Sequence, residues 1–125
     1  MSETCVKLME RFLEEDKRLV DEDPVQASEK LYKAAEKTVK QLARSLGVED
    51  VLKLVEERGR WTVTDLEKVV RRLRSLEPGV VGWWDNANYL HVWGFHEAKL
   101  DSESVKIRLP SVEKIVKLAL LHTTT

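Results

Sequence analysis

The 125-residue sequence predicts a single all-α domain of five or six helices. Three observations lead there. Apolar residues recur at three- and four-residue spacing almost throughout the chain. Capping residues and glycine or proline breaks punctuate that pattern. No stretch alternates apolar and polar residues convincingly enough for a strand.

Taken in order, Leu8, Met9, Phe12, Leu13, Leu19 and Val20 mark a first helix from about Thr4 to Val20. Asp23-Pro24-Val25-Gln26 then starts a second. Asp23 can cap, Pro24 suits the first helical position, and Gln26 can close a capping box. This helix turns Val25, Ser28, Leu31, Tyr32, Ala35, Val39, Leu42 and Ala43 to one side and ends at Gly47. Glu29 with Lys33 and Glu36 with Lys40 support its outer side at i,i+4 spacing. A short helix over Glu49 to Glu57 is stopped by Gly59. Thr64 with Glu67 predicts a capping box for a helix running to about Leu76, before Pro78-Gly79 breaks the chain. A ring-rich helix follows from Val81 to about Leu100. Ser102 is expected to cap the last helical region, which Pro110 kinks, or splits near Leu109.

Composition excludes several classes. Lys plus Arg total 21 against 22 for Asp plus Glu, so the chain is no histone-like polyanion binder. The single cysteine, Cys5, cannot close an internal disulfide and is expected in the core of a protein from a reducing compartment. No stretch reaches the roughly 20 apolar residues of a membrane span. The start, Met1-Ser2-Glu3-Thr4, has no basic, apolar leader, so a cytoplasmic location is expected. Asn and Gln are scarce beside Lys, Glu and Arg, a thermophile's leaning.

Rings crowd into one segment, where Trp83, Trp84, Tyr89, Trp93 and Phe95 fall within 13 positions. On an α-helical wheel Trp83, Trp84, Ala87, Leu90, His91, Gly94, Phe95 and Ala98 share one broad side. Asp85, Tyr89 and His96 line the other, with Val92 beside them, and Trp93 falls between the two. Rings almost all round mark a helix that is central or sits at a subunit contact, with Trp83, Trp84, Trp93 and Phe95 as the interface candidates. A ligand pocket lined by the same rings is the other reading. His91 is the candidate catalytic residue, its near-neutral pKa suiting proton transfer. The plainer reading is a buried imidazole satisfied by a backbone carbonyl or by a side chain such as Asn88. Asp85, Asn88, Tyr89, His91 and His96 form the candidate binding set. No metal site and no cofactor are expected. His91 and His96 lie five residues apart and point about 140° away from each other on an α-helix, without the i,i+4 spacing of a zinc-binding helix.

A basic run, Arg58, Arg60, Lys68, Arg71, Arg72 and Arg74, contrasts with the acidic first helix. It could touch phosphates. The three arginines of residues 71–74 spread over roughly 300° of a helix, which points instead to a solvated face paired with that first helix.

Two stretches together resemble the archaeal PaREP family. Residues 23–36, with Ala27-Ser28-Glu29-Lys30-Leu31-Tyr32-Lys33-Ala34-Ala35-Glu36, are similar to its "A-S-E-K-x-Y-K-A-A-E" helix. Residues 84–100, from Trp84 through His91, Phe95, His96 and Glu97, are similar to its "W-x-x-A-x-x-L-H-x-x-x-F-H-E" helix. The likeness covers most of residues 4–121 and is strongest at 23–45 and 83–100. It implies a HEPN-like bundle, often dimeric and tied to nucleic-acid processing or toxin–antitoxin systems. HEPN ribonucleases cleave RNA without metal, using an arginine, four to six intervening residues, then a histidine. His91 would be that histidine, but Trp84, Asp85 and Asn86 stand where the arginine belongs. The expectation is therefore a non-catalytic homodimeric module for a nucleotide, RNA or protein partner. The alternatives are a metal-independent ribonuclease with a rearranged site at His91, or a toxin–antitoxin component.

Overall fold

The computed structural model describes residues 3–122, and the side chains of residues 3–6, 8–10 and 12 are outside the description. The expectations for Cys5, Leu8, Met9 and Phe12 therefore lie outside the described residues. The helices are α1 (Glu3–Glu22), α2 (Pro24–Ser45), α3 (Glu49–Arg58), α4 (Val63–Leu73), α5 (Val80–Tyr89), α6 (Ser102–Lys106) and α7 (Leu109–His122). A π-helical segment, Leu90–His96, continues α5. The described residues contain no strand, and the fold is all-α.

Helix α2 is the axis of the bundle, packing against every other element. Its buried stripe of Ala27, Leu31, Ala35, Val39 and Leu42 is fully enclosed. Val69, Val70 and Leu73 of α4, Val80 and Ala87 of α5, and Val112 and Ile115 of α7 close around it. Each large aliphatic side chain so buried stabilises the fold by about 1.5–3 kcal/mol. The ring-rich helix lies beside α2 instead of at the centre.

Trp84 is fully buried and its indole N–H has no hydrogen-bond partner. Burying that ring is worth about 4–6 kcal/mol, more than the roughly 1–3 kcal/mol lost on the unpaired N–H. Trp84 is thus a core residue, out of reach of any partner. Trp83 is also packed against the core, with the Lys114 ammonium 5.7 Å from its ring.

The helix ends show where short-range chemistry acts. Asp23 caps α2 by accepting the Gln26 backbone N–H at 3.1 Å, and Gly59 stops α3 with a left-handed φ of 77°. Two caps fall elsewhere than expected. Thr62, not Thr64, opens α4, because Asp65 three residues on returns the bond to the Thr62 N–H at 2.9 Å. Asp65 is also clasped by Arg58 at 2.7 and 2.9 Å, an anchor that Glu67 lacks. Asp101, not Ser102, caps α6 by accepting the Ser104 N–H at 2.8 Å. The Ser102 hydroxyl instead donates to the Val20 carbonyl of α1 at 3.0 Å. Helix α4 ends at Leu73, so residues 74–76 form a turn, and the last helical region is split between Lys106 and Leu109.

Candidate functional site

The site lies where the π segment crosses α2. Gly94 makes the crossing possible, since a Cβ there would stand 2.1 Å from Ser28 Oγ and 2.5 Å from Ser28 Cβ. Two small residues therefore let the backbones touch. Ser28 keeps its hydroxyl satisfied by donating to the Pro24 carbonyl at 2.7 Å.

That approach sets the His91 ring flat on Tyr32, with centroids 4.0 Å apart and planes 21° from parallel. His91 Nδ1 lies 2.9 Å from Glu29 Oε1, and both side chains are largely buried. Glu29, rather than Asn88 or a backbone carbonyl, is the partner of the imidazole. Tyr32 in turn donates its hydroxyl to Glu36 Oε2 at 3.3 Å. Burial, then the Glu36 carboxylate, push the Tyr32 phenol above its ordinary pKa, so it stays a neutral donor.

The second histidine arrives by an irregularity of the helix. In a π turn the hydrogen bonds run from i to i+5, so five residues complete about one turn. His96 therefore faces His91, with Nε2 atoms 3.2 Å apart and rings edge to face at 4.4 Å. The 140° separation expected from α-helical spacing does not hold, because the segment is not α-helical. His96 leaves the expected stripe with Asp85 and Tyr89. Phe95, half-buried, sits edge-on to His96 at 5.2 Å.

Asp85 and Tyr89 stay on the outer side. The Arg108 guanidinium covers the Tyr89 ring at 3.9 Å, and Trp93 stands 6.4 Å from Tyr89. Asn88 is half-buried, and Asn86 bonds Ser111 Oγ at 2.8 Å.

Chemically, the cluster is a chain. Glu29 accepts the Nδ1–H of His91, leaving Nε2 with a free lone pair when the ring is neutral. The Nε2–H of His96 donates into it. One proton thus sits between two ring nitrogens at the edge of the solvent. Glu29 escapes a reading by local spacing, since 62 residues separate it from His91 and its sequence neighbours pair it with Lys33. The only sequence signal was the pair of small residues, Ser28 and Gly94, in two ring-bearing helices.

The basic run follows a different plan from the expected one. Arg58 pairs with Asp65, and Arg72 with Asp50, not with α1. Lys68, Arg71, Arg72 and Arg74 line one open cavity of about 380 Å³ with Asp50. Arg74 joins them from the C-cap of α4, with φ −58° and ψ −28°.

The profile of the archaeal PaREP1/PaREP8 family matches residues 4–116. The chain belongs to that family. The Glu29–His91–His96 cluster is where the two PaREP-like stretches of the sequence meet in space. A crystal structure of a protein from Sulfolobus solfataricus is similar at 35% identity, with a TM-score of 0.84 over 94% of this chain and 97% of that one. A solution structure of the same target gives a TM-score of 0.79 at 35% identity over 92% and 90%. No curated protein matches this PaREP1/PaREP8 member. Among its described residues no helix is long and apolar enough to cross a membrane.

Proposed function

We propose that this protein is a HEPN-like, non-catalytic homodimeric module that presents the Glu29–His91–His96 cluster to a ligand, a nucleotide or RNA phosphate in the first instance. The observation that carries the dimer is the outer face of the α5–π helix. Tyr89, Val92 and Trp93 expose 40%, 42% and 42% of their surface there as one patch. Asp85 on the same face and Arg108 on the Tyr89 ring have no ion-pair partner among the described residues. A twofold interface must be self-complementary. An apolar centre bracketed by an anion and by a cation that is held by Tyr89 and the Ser104 carbonyl but by no carboxylate meets that demand, each Asp85 facing an Arg108 of the second copy. Exposed Trp and Tyr are also the side chains that most often anchor interfaces. The test is the mass in solution at micromolar concentration. Twice 14.5 kDa is expected, with Trp93→Glu reduced to the monomer; a monomeric parent protein overturns the reading.

A second reading, favoured by the Glu29–His91–His96 chain itself, is proton transfer on RNA. A carboxylate that orients an imidazole is the arrangement of many acid–base sites. Incubating RNA with the protein beside a His91→Ala variant decides it. Cleavage lost in the variant supports catalysis, and cleavage equal in both or absent from both removes it.

A further inference from the structure

We propose that His91 and His96 form a two-imidazole site for a divalent transition-metal ion of the zinc, nickel and copper class, with water completing the coordination. This inference rests on the cluster and not on the dimer. Two nitrogen ligands bound tetrahedrally at about 2.0–2.1 Å stand roughly 3.3–3.4 Å apart. The Nε2 atoms of His91 and His96 are already 3.2 Å apart. The two rings need to open by only a fraction of an ångström to admit an ion.

The surroundings fit a ligand pair in two further ways. Histidines that bind metals commonly donate their other ring N–H to a carboxylate, which fixes the tautomer and raises ligand basicity. Glu29 Oε1 lies 2.9 Å from His91 Nδ1 and does this for Nε2. The stack on Tyr32 at 4.0 Å holds the His91 ring in place, so its lone pair is aimed before any ion arrives. Imidazole nitrogen selects zinc, nickel or copper over magnesium and calcium, which take oxygen ligands. The described residues hold no group of three or more metal-ligating side chains, so the site is open and exchangeable rather than a closed structural one.

In the metal-free protein a shared proton bridges the two nitrogens, and the ion takes its place. The displaced Nε2 proton moves to Nδ1 of His96, so both imidazoles bind the ion as neutral ligands. The ion also occupies the lone pair that proton transfer by His91 would need, so a bound ion would silence any such chemistry.

The test is calorimetric titration of the chelator-stripped, tag-free protein with Zn²⁺ and, separately, Mg²⁺. One zinc per chain is expected, with no magnesium binding. His96→Gln, at an exposed position that does not threaten the fold, removes binding. Glu29→Gln weakens it tenfold or more. His122→Ala, remote in sequence, leaves it unchanged. In nitrogen NMR of the parent protein, zinc shifts the Nε2 signals of His91 and His96 together. Absence of zinc binding, or binding unaltered by His96→Gln, overturns the proposal. Either result leaves the mass measurement of the dimer to be judged separately.

Discussion

His91 and His96 meet Nε2 to Nε2 at 3.2 Å, although five residues separate them on one helix. Glu29, on a different helix, fixes which nitrogen of His91 is free to take part. Without that carboxylate the two rings would only be neighbours; with it they share one proton in a defined direction.

The tautomer is directly measurable. Neutral His91 is expected to carry its proton on Nδ1, the opposite of the usual preference of a free imidazole. Long-range nitrogen–proton NMR reads this. Glu29→Ala should return His91 to a mixture dominated by Nε2–H, while the helical circular dichroism stays as it was. An Nε2–H His91 in the parent protein would contradict the assigned bond.

Gly94→Ala should loosen the site through packing. The new methyl would fall 2.1 and 2.5 Å from Ser28 side-chain atoms, so α2 and the π segment must separate. Overpacking of this kind costs about 1–3 kcal/mol. Ser28→Gly in the same chain removes both offending atoms and should recover most of the loss. Thermal melts of the single and double variants check it, and additive losses would refute the contact.

Asp65 should control acid stability at the other end of the bundle. The Arg58 guanidinium, and after it the Thr62 hydrogen bonds, hold its carboxyl well below the usual range against the opposing effect of burial. A depressed folded pKa contributes stability above the unfolded value of 3.8 that is lost as pH falls through and below it. Asp65→Ala should cost about 1–2 kcal/mol at neutral pH, the worth of a helix cap. The difference between variant and parent should shrink in denaturant titrations toward pH 2.

Asp16 should behave in the opposite sense. It is 6% exposed, and burial raises its pKa from 3.8 to about 6, with Lys30 opposing and Glu15 assisting. The folded state binds a proton there that the unfolded state lacks, so this group's contribution is full below pH 3.8 and is lost as pH rises through 6. Asp16→Asn should therefore stabilise the protein at pH 7.5, by on the order of 2 kcal/mol. At pH 4 that advantage should vanish; a variant equally stabilised at both pH values would rule out the charge as the cause.

Much of the fold was legible because it is written in short-range chemistry. Asp23 and Pro24 start α2, and Gly59 stops α3, as their side chains or lack of one dictate. The misplaced caps had overlapping signals, Thr62 with Asp65 and Thr64 with Glu67. The choice fell to Arg58, whose grip on Asp65 is a tertiary contact. The site was half legible. His91 and His96 stood out as residues, but an α-helical wheel parted them, and no local pattern announces a π turn. Glu29 looked like half of a surface ion pair because its real partner is 62 residues away. Trp84 looked like interface because ring content alone does not say which ring is inside.

The π segment has one more implication, concerning insertions and deletions. Its hydrogen bonds, such as Glu97 N–H to the Val92 carbonyl at 2.8 Å, skip one residue more than an α-helix does. Geometrically, His-x4-His on this turn is the equivalent of His-x3-His on an ordinary one. Losing a single codon between the histidines would straighten the helix yet keep the imidazoles facing each other. A homologue one residue shorter here can thus carry the same pair, and aligning the two columns of histidine would require a gap.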